Sequence, residues 1–214
     1  MKAAVVHEFG AEDVLRYEET PDPVPGPGEV LVRVRAAAIN RGDLGRRMGT
    51  YPSGVPLPFI IGWDIAGEIL KLGEGASSPP PGTRVVARIP QGGYAELSVA
   101  PARQIVPLPD GVSYEQAASL PVAYLTSWFA LKHQGELKAG ESCLVQAAAS
   151  GVGVAGIQIA KAMGAKPIFT TASTEAKLAL GRRLGADVAI NYTSEDFVQV
   201  VRRETGDRGV DVVL

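Results

Sequence analysis

The sequence predicts an α/β chain in which a β-rich N-terminal half precedes the first part of a doubly wound parallel sheet. Three observations carry this expectation. Up to about Leu108, proline and glycine cut the chain into short β-type runs. Beyond Glu141, apolar strands alternate with amphipathic helices, the rhythm of βαβ units. Between the first of these strands and the helix after it lies Gly151-Val152-Gly153-Val154-Ala155-Gly156, a pattern suited to a sharp strand-to-helix turn.

Met1 to Phe9 reads as a short strand that soon meets Glu8, Glu12 and Asp13 and lacks the basic-then-apolar pattern of a signal peptide. Pro21 to Gly28, rich in proline, is expected as a rigid surface loop rather than a disordered linker, because strands flank it closely, and Ser77 to Gly82 reads the same way. Val30 to Val34 and Arg84 to Arg88 have strand composition, and this half is expected to form a small barrel. From Ser113 to His133, apolar residues fall at helical spacing with a break at Pro121, which predicts two bridging helices. Then follow strand Cys143 to Ala147, helix Gly153 to Met163, strand Pro167 to Thr171, helix Thr174 to Leu184 and strand Val188 to Ile190. A helix near Asp196 to Arg203 and a strand at Val210 to Leu214 complete the pattern, so the chain supplies one mononucleotide-binding half and one strand more. The expected division is residues 1–120 and residues 121–214.

Composition narrows the partners. Twenty-one basic against 23 acidic residues give a net charge of −2, too little positive field to hold nucleic acid or an anionic membrane. The uncharged stretch Ser142 to Ala160 has membrane-spanning length but is broken by glycines, glutamines and serines, so strand, turn and helix explain it better. The single cysteine, Cys143, excludes an intramolecular disulfide and a zinc site built from several thiolates. A small-molecule partner and a cytoplasmic location are the expectations.

The glycine pattern gains force from its place directly after a strand and at the opening of a helix, where unpaired N–H groups meet a pyrophosphate; glycines serving only the turn are the alternative. An NAD site would place an acid at the end of the second strand, to bind the ribose hydroxyls. Here the run Ile168-Phe169-Thr170-Thr171-Ala172-Ser173 holds none before Glu175, while Ser173 and Lys177 can offer a hydroxyl and an ammonium to a 2′-phosphate. NADP(H) is therefore expected over NAD.

With these residues in view, the whole chain resembles the quinone oxidoreductase branch of the medium-chain dehydrogenase/reductase family. The resemblance rests on Gly62-Trp63-Asp64-Ile65-Ala66-Gly67-Glu68, Gly92-Gly93-Tyr94-Ala95-Glu96, Ala147-Ala148-Ala149-Ser150-Gly151-Val152-Gly153, Leu184-Gly185-Ala186-Asp187 and Ile190-Asn191-Tyr192. It implies a GroES-like barrel followed by a Rossmann domain, with the active site in the cleft between them, and it leaves the second Rossmann half, with its dimer contacts in full-length relatives, beyond Leu214. In zinc-dependent relatives a Cys and a His-Glu pair stand where this chain has Asp43, Trp63 and Asp64, so no catalytic zinc is expected.

The resemblance further implies that Asn40 and Tyr51 line the substrate cleft with Asp43 nearby, that Thr126 contacts the nicotinamide end, and that Ser150, Gly151, Val152, Gly153, Ser173, Lys177 and Tyr192 hold the cofactor. Tyr51 either donates a proton to a developing oxyanion or forms an aromatic wall for a flat substrate. Without a metal the substrate must accept hydride readily, as quinones and α,β-unsaturated carbonyls do. A 2-enoyl-thioester reductase and a non-enzymatic NADPH-binding protein are the competing expectations. Gly45 stands where some members of the branch have a tyrosine, so substrate scope does not transfer.

Overall fold

The computed structural model describes residues 1–51 and 54–214, and these form two compact units, Met1–Val122 and Ala123–Leu214. The first unit holds two antiparallel sheets. One has three strands in the order β2-β1-β4, with β1 at Lys2–Val6, β2 at Leu15–Glu19 and β4 at Phe59–Ile60. The other has five in the order β7-β3-β5-β6-β8, from β3 at Glu29–Ala38, β5 at Asp64–Leu72, β6 at Arg84–Arg88, β7 at Leu97–Pro101 and β8 at Ile105–Pro107. Alternation drives the second sheet. Val30, Val32, Ile65, Ile69, Val85, Ala87 and Ala100 turn inward to one apolar cluster, as the two-residue period of a pleated strand requires. The loop at Pro21 to Gly28 is tied down at its end, where Gly28 N donates to Glu74 O at 2.8 Å.

Among the described residues two α-helices lie wholly within this unit. Helix α1 (Arg41–Arg47) was not expected from its composition, since it carries two glycines in seven residues. Its start is fixed instead by Asp43, whose carboxylate accepts from the Asn40 N–H at 2.8 Å, and by packing of Gly42 against Trp63. Helix α2 (Tyr114–Ala118) is capped by Ser113, which accepts from Gln116 N at 3.2 Å, and lays Ala117 and Ala118 on Ala66 and Val86.

The second unit is a parallel sheet of order β11-β10-β9-β12. Its strands are β9 (Cys143–Val145), β10 (Ile168–Ala172), β11 (Val188–Asn191) and β12 (Val212–Val213), and β9 is central: Cys143 pairs with both Ile168 and Val212. Helices α4 (Gly151–Ala162) and α5 (Glu175–Leu184) cover one face, where Cys143, Val145, Ile157, Ile168 and Leu178 are buried together. Leu144, Phe169 and Ile190 point the other way, under Val200 and Val201 of α6 (Phe197–Glu204). Both faces are apolar, as a sheet buried on two sides demands. Helix α3 (Pro121–Trp128) begins at the break expected at Pro121 and continues as a π-helical turn, Phe129–Gln134. Among the described residues no helix is long and apolar enough to cross a membrane.

The turn after β9 differs from expectation in detail. The strand stops at Val145, and the left-handed residue is Ala147, at φ 55°, rather than a glycine. Helix α4 starts at Gly151, two residues early, because Ser150 caps it by accepting from Gly153 N at 2.9 Å. A Cβ on Gly153 would lie 2.2 Å from Ala147 O, so its small size serves the close approach of helix and turn. Gly156 lets the helix settle on the sheet: a Cβ there would meet Leu214 at 2.5 Å and Val145 at 3.1 Å.

Candidate functional site

Ser150, Ser173, Lys177 and Tyr192, separated by up to 42 positions in sequence, line one cavity of about 250 Å³ with Ala147, Ala149 and Ala172. The topology explains the meeting. Each of these residues follows the carboxyl end of a strand, β9, β10 or β11, where open parallel sheets place their ligand crevices. Gly151, Val152 and Gly153 form the first turn of α4 beside Ser150, so the helix start adds N–H groups that have no intrahelical acceptor. Gly153 N is already taken by Ser150 Oγ, which leaves the N–H groups of Gly151 and Val152 for a ligand.

Charge around this cavity has one sign. Lys177 stands in the first turn of α5, exposed and without an ion-pair partner among the described residues. Glu175, the first acid after β10, is engaged by Arg182 at 2.5 Å. The cavity therefore offers an ammonium, two serine hydroxyls and a phenol, with no carboxylate among its walls. That donor set fits the phosphorylated ribose of NADP(H), because a 2′-phosphate needs donors and a cation there.

The first unit assembles a different site. Asn40 caps α1, and its side chain reaches across to the start of β5, where Nδ2 donates to Asp64 Oδ2 at 3.1 Å. Asp43, one turn into the helix, accepts from Asn40 N at 2.8 Å, and the Tyr94 hydroxyl lies at the same distance from that carboxyl. Asp64 also accepts from Val122 N at 3.0 Å. Gly62 makes the approach of Tyr94 feasible: its φ is +106°, which an L side chain rarely adopts, and a Cβ there would lie 2.4 Å from the tyrosine ring. Burial pushes both carboxyls above the usual carboxylate range, against the donors that favour their charged forms.

Tyr51 is 45% exposed and meets Trp63 edge-on, with ring centroids 5.3 Å apart. It lines a 450 Å³ cavity with Arg41, Leu44, Met48 and Thr50. Asn40 and Asp43 are thus joined directly, and Tyr51 is joined to the same helix through Trp63. Thr126 lies exposed on α3, in the second unit. Sequence reasoning missed Tyr94 and any part for Asp64 beyond its failure as a zinc ligand. Both sit in the quoted motifs, but nothing local marks them as partners of Asn40 and Asp43. It also missed Ser127, which is fully buried and donates to Ala123 O, with Val152 O also within 3.1 Å, linking α3 to the start of α4.

A zinc ion does not fit the residues at positions 43, 63 and 64. Trp63 has no lone pair to give, and its ring lies 5.1 Å from the Arg46 guanidinium and 5.7 Å from that of Arg88, so cations already occupy its surroundings. Among the described residues no three of His, Cys, Asp and Glu come together as a metal-holding group.

Comparison with known proteins places this architecture. The alcohol dehydrogenase GroES-like domain matches residues 26–110, and a domain described as zinc-binding dehydrogenase matches residues 151–214. The quinone oxidoreductase of Rattus norvegicus is 37% identical over all of this chain, which spans 65% of the rat protein's length. Among solved structures, an NAD-dependent alcohol dehydrogenase superposes with a TM-score of 0.94 at 37% identity, covering 100% of this chain and 70% of that one. The Escherichia coli quinone oxidoreductase complexed with NADPH gives 0.93 at 34% identity, covering 100% of this chain and 65% of that one. A GroES-like unit, a parallel sheet with its glycine turn and likeness along the entire chain converge on one conclusion: the chain, similar throughout to quinone oxidoreductases, belongs to the medium-chain dehydrogenase/reductase family.

Proposed function

We propose that this protein is an NADPH-dependent oxidoreductase that reduces quinones or other activated alkenes without a metal. The observation that carries the cofactor choice is the cavity lined by Ser150, Ser173, Lys177 and Tyr192, where Glu175 is turned to Arg182 and no carboxylate opposes a 2′-phosphate. The relatives complexed with NADPH support the same choice. Bound NADPH supplies the hydride.

The chain's own residues would do the rest. Lys177 and Ser173 bind the adenosine phosphate, and the N–H groups of Gly151 and Val152 face the pyrophosphate at the positive end of α4. Thr126 contacts the nicotinamide end. Asn40 presents the part of its carboxamide not used by Asp64 to the substrate carbonyl, and Tyr51 offers its exposed hydroxyl or ring face to a flat acceptor. With no metal to polarise the carbonyl, such hydrogen-bond donors are what remain to stabilise the developing negative oxygen.

Equilibrium titration of NADPH and NADH onto the protein, followed by addition of an ortho-quinone or of a crotonyl thioester, tests this reading. Tighter NADPH binding with quinone-dependent oxidation is expected. Equal binding of the two nucleotides overturns the cofactor assignment, thioester turnover without quinone turnover overturns the quinone reading in favour of a 2-enoyl-thioester reductase, and binding without reduction of either acceptor reduces the protein to a nucleotide binder.

A further inference from the structure

Asp43 and Asp64 have a charge and donor inventory that two ionised carboxylates do not explain. Each is 1% exposed. Neither forms an ion pair among the described residues. The cations that face them, Arg46 from α1 and Arg88 from β6, lie over the Trp63 ring, and Arg46 spends Nη1 on Pro90 O at 2.6 Å. On each carboxyl the two hydrogen-bonded neighbours fall on Oδ2, while Oδ1 is buried with no hydrogen bond of ordinary geometry among the described residues, the Gly62 N–H near Asp43 being a further group that favours its charged form. Two buried carboxylates joined through one asparagine disfavour ionising together.

The Tyr94 hydroxyl says where a proton belongs. It lies 2.8 Å from Asp43 Oδ2 and 3.1 Å from Ala38 O. Both neighbours are acceptors if Asp43 is ionised, and a phenol has one hydrogen to give. A neutral Asp43 resolves the count: its own hydroxyl donates to Tyr94, and Tyr94 donates to Ala38 O. Asp64 can then remain ionised and accept from Val122 N and Asn40 Nδ2.

We propose that Asp43 and Asp64 carry one proton between them at neutral pH, resting on Asp43, and that the ionised Asp64 thereby fixes the carboxamide of Asn40. Both are positioning residues that act through Asn40. With Asp64 charged, Nδ2 is held toward β5. Once Asp64 is protonated, its hydroxyl can donate to the carboxamide oxygen of a flipped Asn40, and both Nδ2 hydrogens turn away from β5. The consequence for catalysis rests on the reductase reading above; the proton count and the amide orientation do not.

Nuclear magnetic resonance of the full chain separates the two. The side-chain carbonyl carbons of Asp43 and Asp64 and the Asn40 side-chain nitrogen are followed against pH in the wild-type protein. A neutral Asp43 beside an ionised Asp64 is expected near neutrality, with the Asn40 signal moving at the pH where Asp64 titrates. Two ionised carboxyls at neutral pH, or an Asn40 signal that ignores Asp64, overturns the proposal without any variant having to fold. Asp64→Asn should lower the Asp43 midpoint by about one unit or more, since it removes a like charge; an unchanged midpoint contradicts the coupling. In the quinone assay, Asp64→Asn should lower kcat about tenfold and flatten the acidic side of its pH profile while NADPH affinity holds, whereas a profile superimposable on the wild type's contradicts the role through Asn40. A wild-type protein with no turnover would sink the reductase reading and leave the resonance result to decide the pair.

Discussion

Replacing Gly42 by alanine tests how closely α1 is packed onto Trp63. A Cβ on Gly42 would lie 2.2 and 2.3 Å from two carbons of the indole ring. Ordinary carbon contacts lie at about 3.5–4.0 Å, so something must move by more than an ångström. Trp63 is only 7% exposed and is flanked by Arg46, Arg88 and Tyr51, which leaves its ring little room. Overpacking of this kind costs ~1–3 kcal/mol, and the severity of the overlap puts Gly42→Ala at the upper end. Alanine recovers up to ~1 kcal/mol of helix propensity, for a net loss of about 2 kcal/mol. At ~2–4 °C per kcal/mol for a chain of this size, Tm should fall by roughly 4–8 °C. Differential scanning calorimetry reads the loss, and tryptophan fluorescence in a Trp128→Phe background reads the displaced ring. An unchanged Tm together with an unchanged Trp63 spectrum would refute the packing argument.

Three further outcomes follow from the geometry. Lys177→Ala should weaken NADPH by about tenfold, from the lower end of the ~1.5–3 kcal/mol of a charge-assisted hydrogen bond because the side chain is exposed, and should leave NADH unchanged; paired binding titrations check it. Cys143 is buried on β9, and burial pushes its thiol up to about 12, so thiol reagents should leave it untouched at neutral pH until the protein unfolds; mass spectrometry before and after denaturant distinguishes the states. Asp211 accepts from Arg208 and from the N–H and hydroxyl of Ser142, which holds its carboxyl far below the usual range. Its stabilising contribution is therefore present above the unfolded carboxylate value of ~3.9 and lost as pH falls below it, and Asp211→Asn should flatten acid unfolding in that window, read by circular dichroism.

Much of the fold was legible because two periodicities are strong in this sequence. The alternation at Val30, Val32 and Val85, Ala87 marked β3 and β6, and the strand-helix rhythm after Glu141 marked the parallel sheet. Boundaries depended on caps: Ser150 and Asp196 begin α4 and α6 by accepting from N–H groups two or three residues on, a signal the glycine pattern obscured at α4. Helix α1 was illegible because Arg41–Arg47 has poor propensity and is held by the Asp43 bond and the Trp63 contact, which are tertiary facts. For the site, Ser173 and Lys177 could be named because the absence of an acid after β10 is a local feature. The Asp43, Asp64 and Tyr94 cluster could not, since its members come from a helix, a strand start and a turn up to 51 positions apart.

The central claim is that a metal-free site in this chain uses NADPH. Initial rates of NADPH and NADH oxidation by the 214-residue protein with an ortho-quinone, with and without exhaustive chelation, test it most directly. Saturable turnover that prefers NADPH and is indifferent to the chelator is expected. Equal rates with NADH, or activity lost on chelation and restored by zinc, would contradict it.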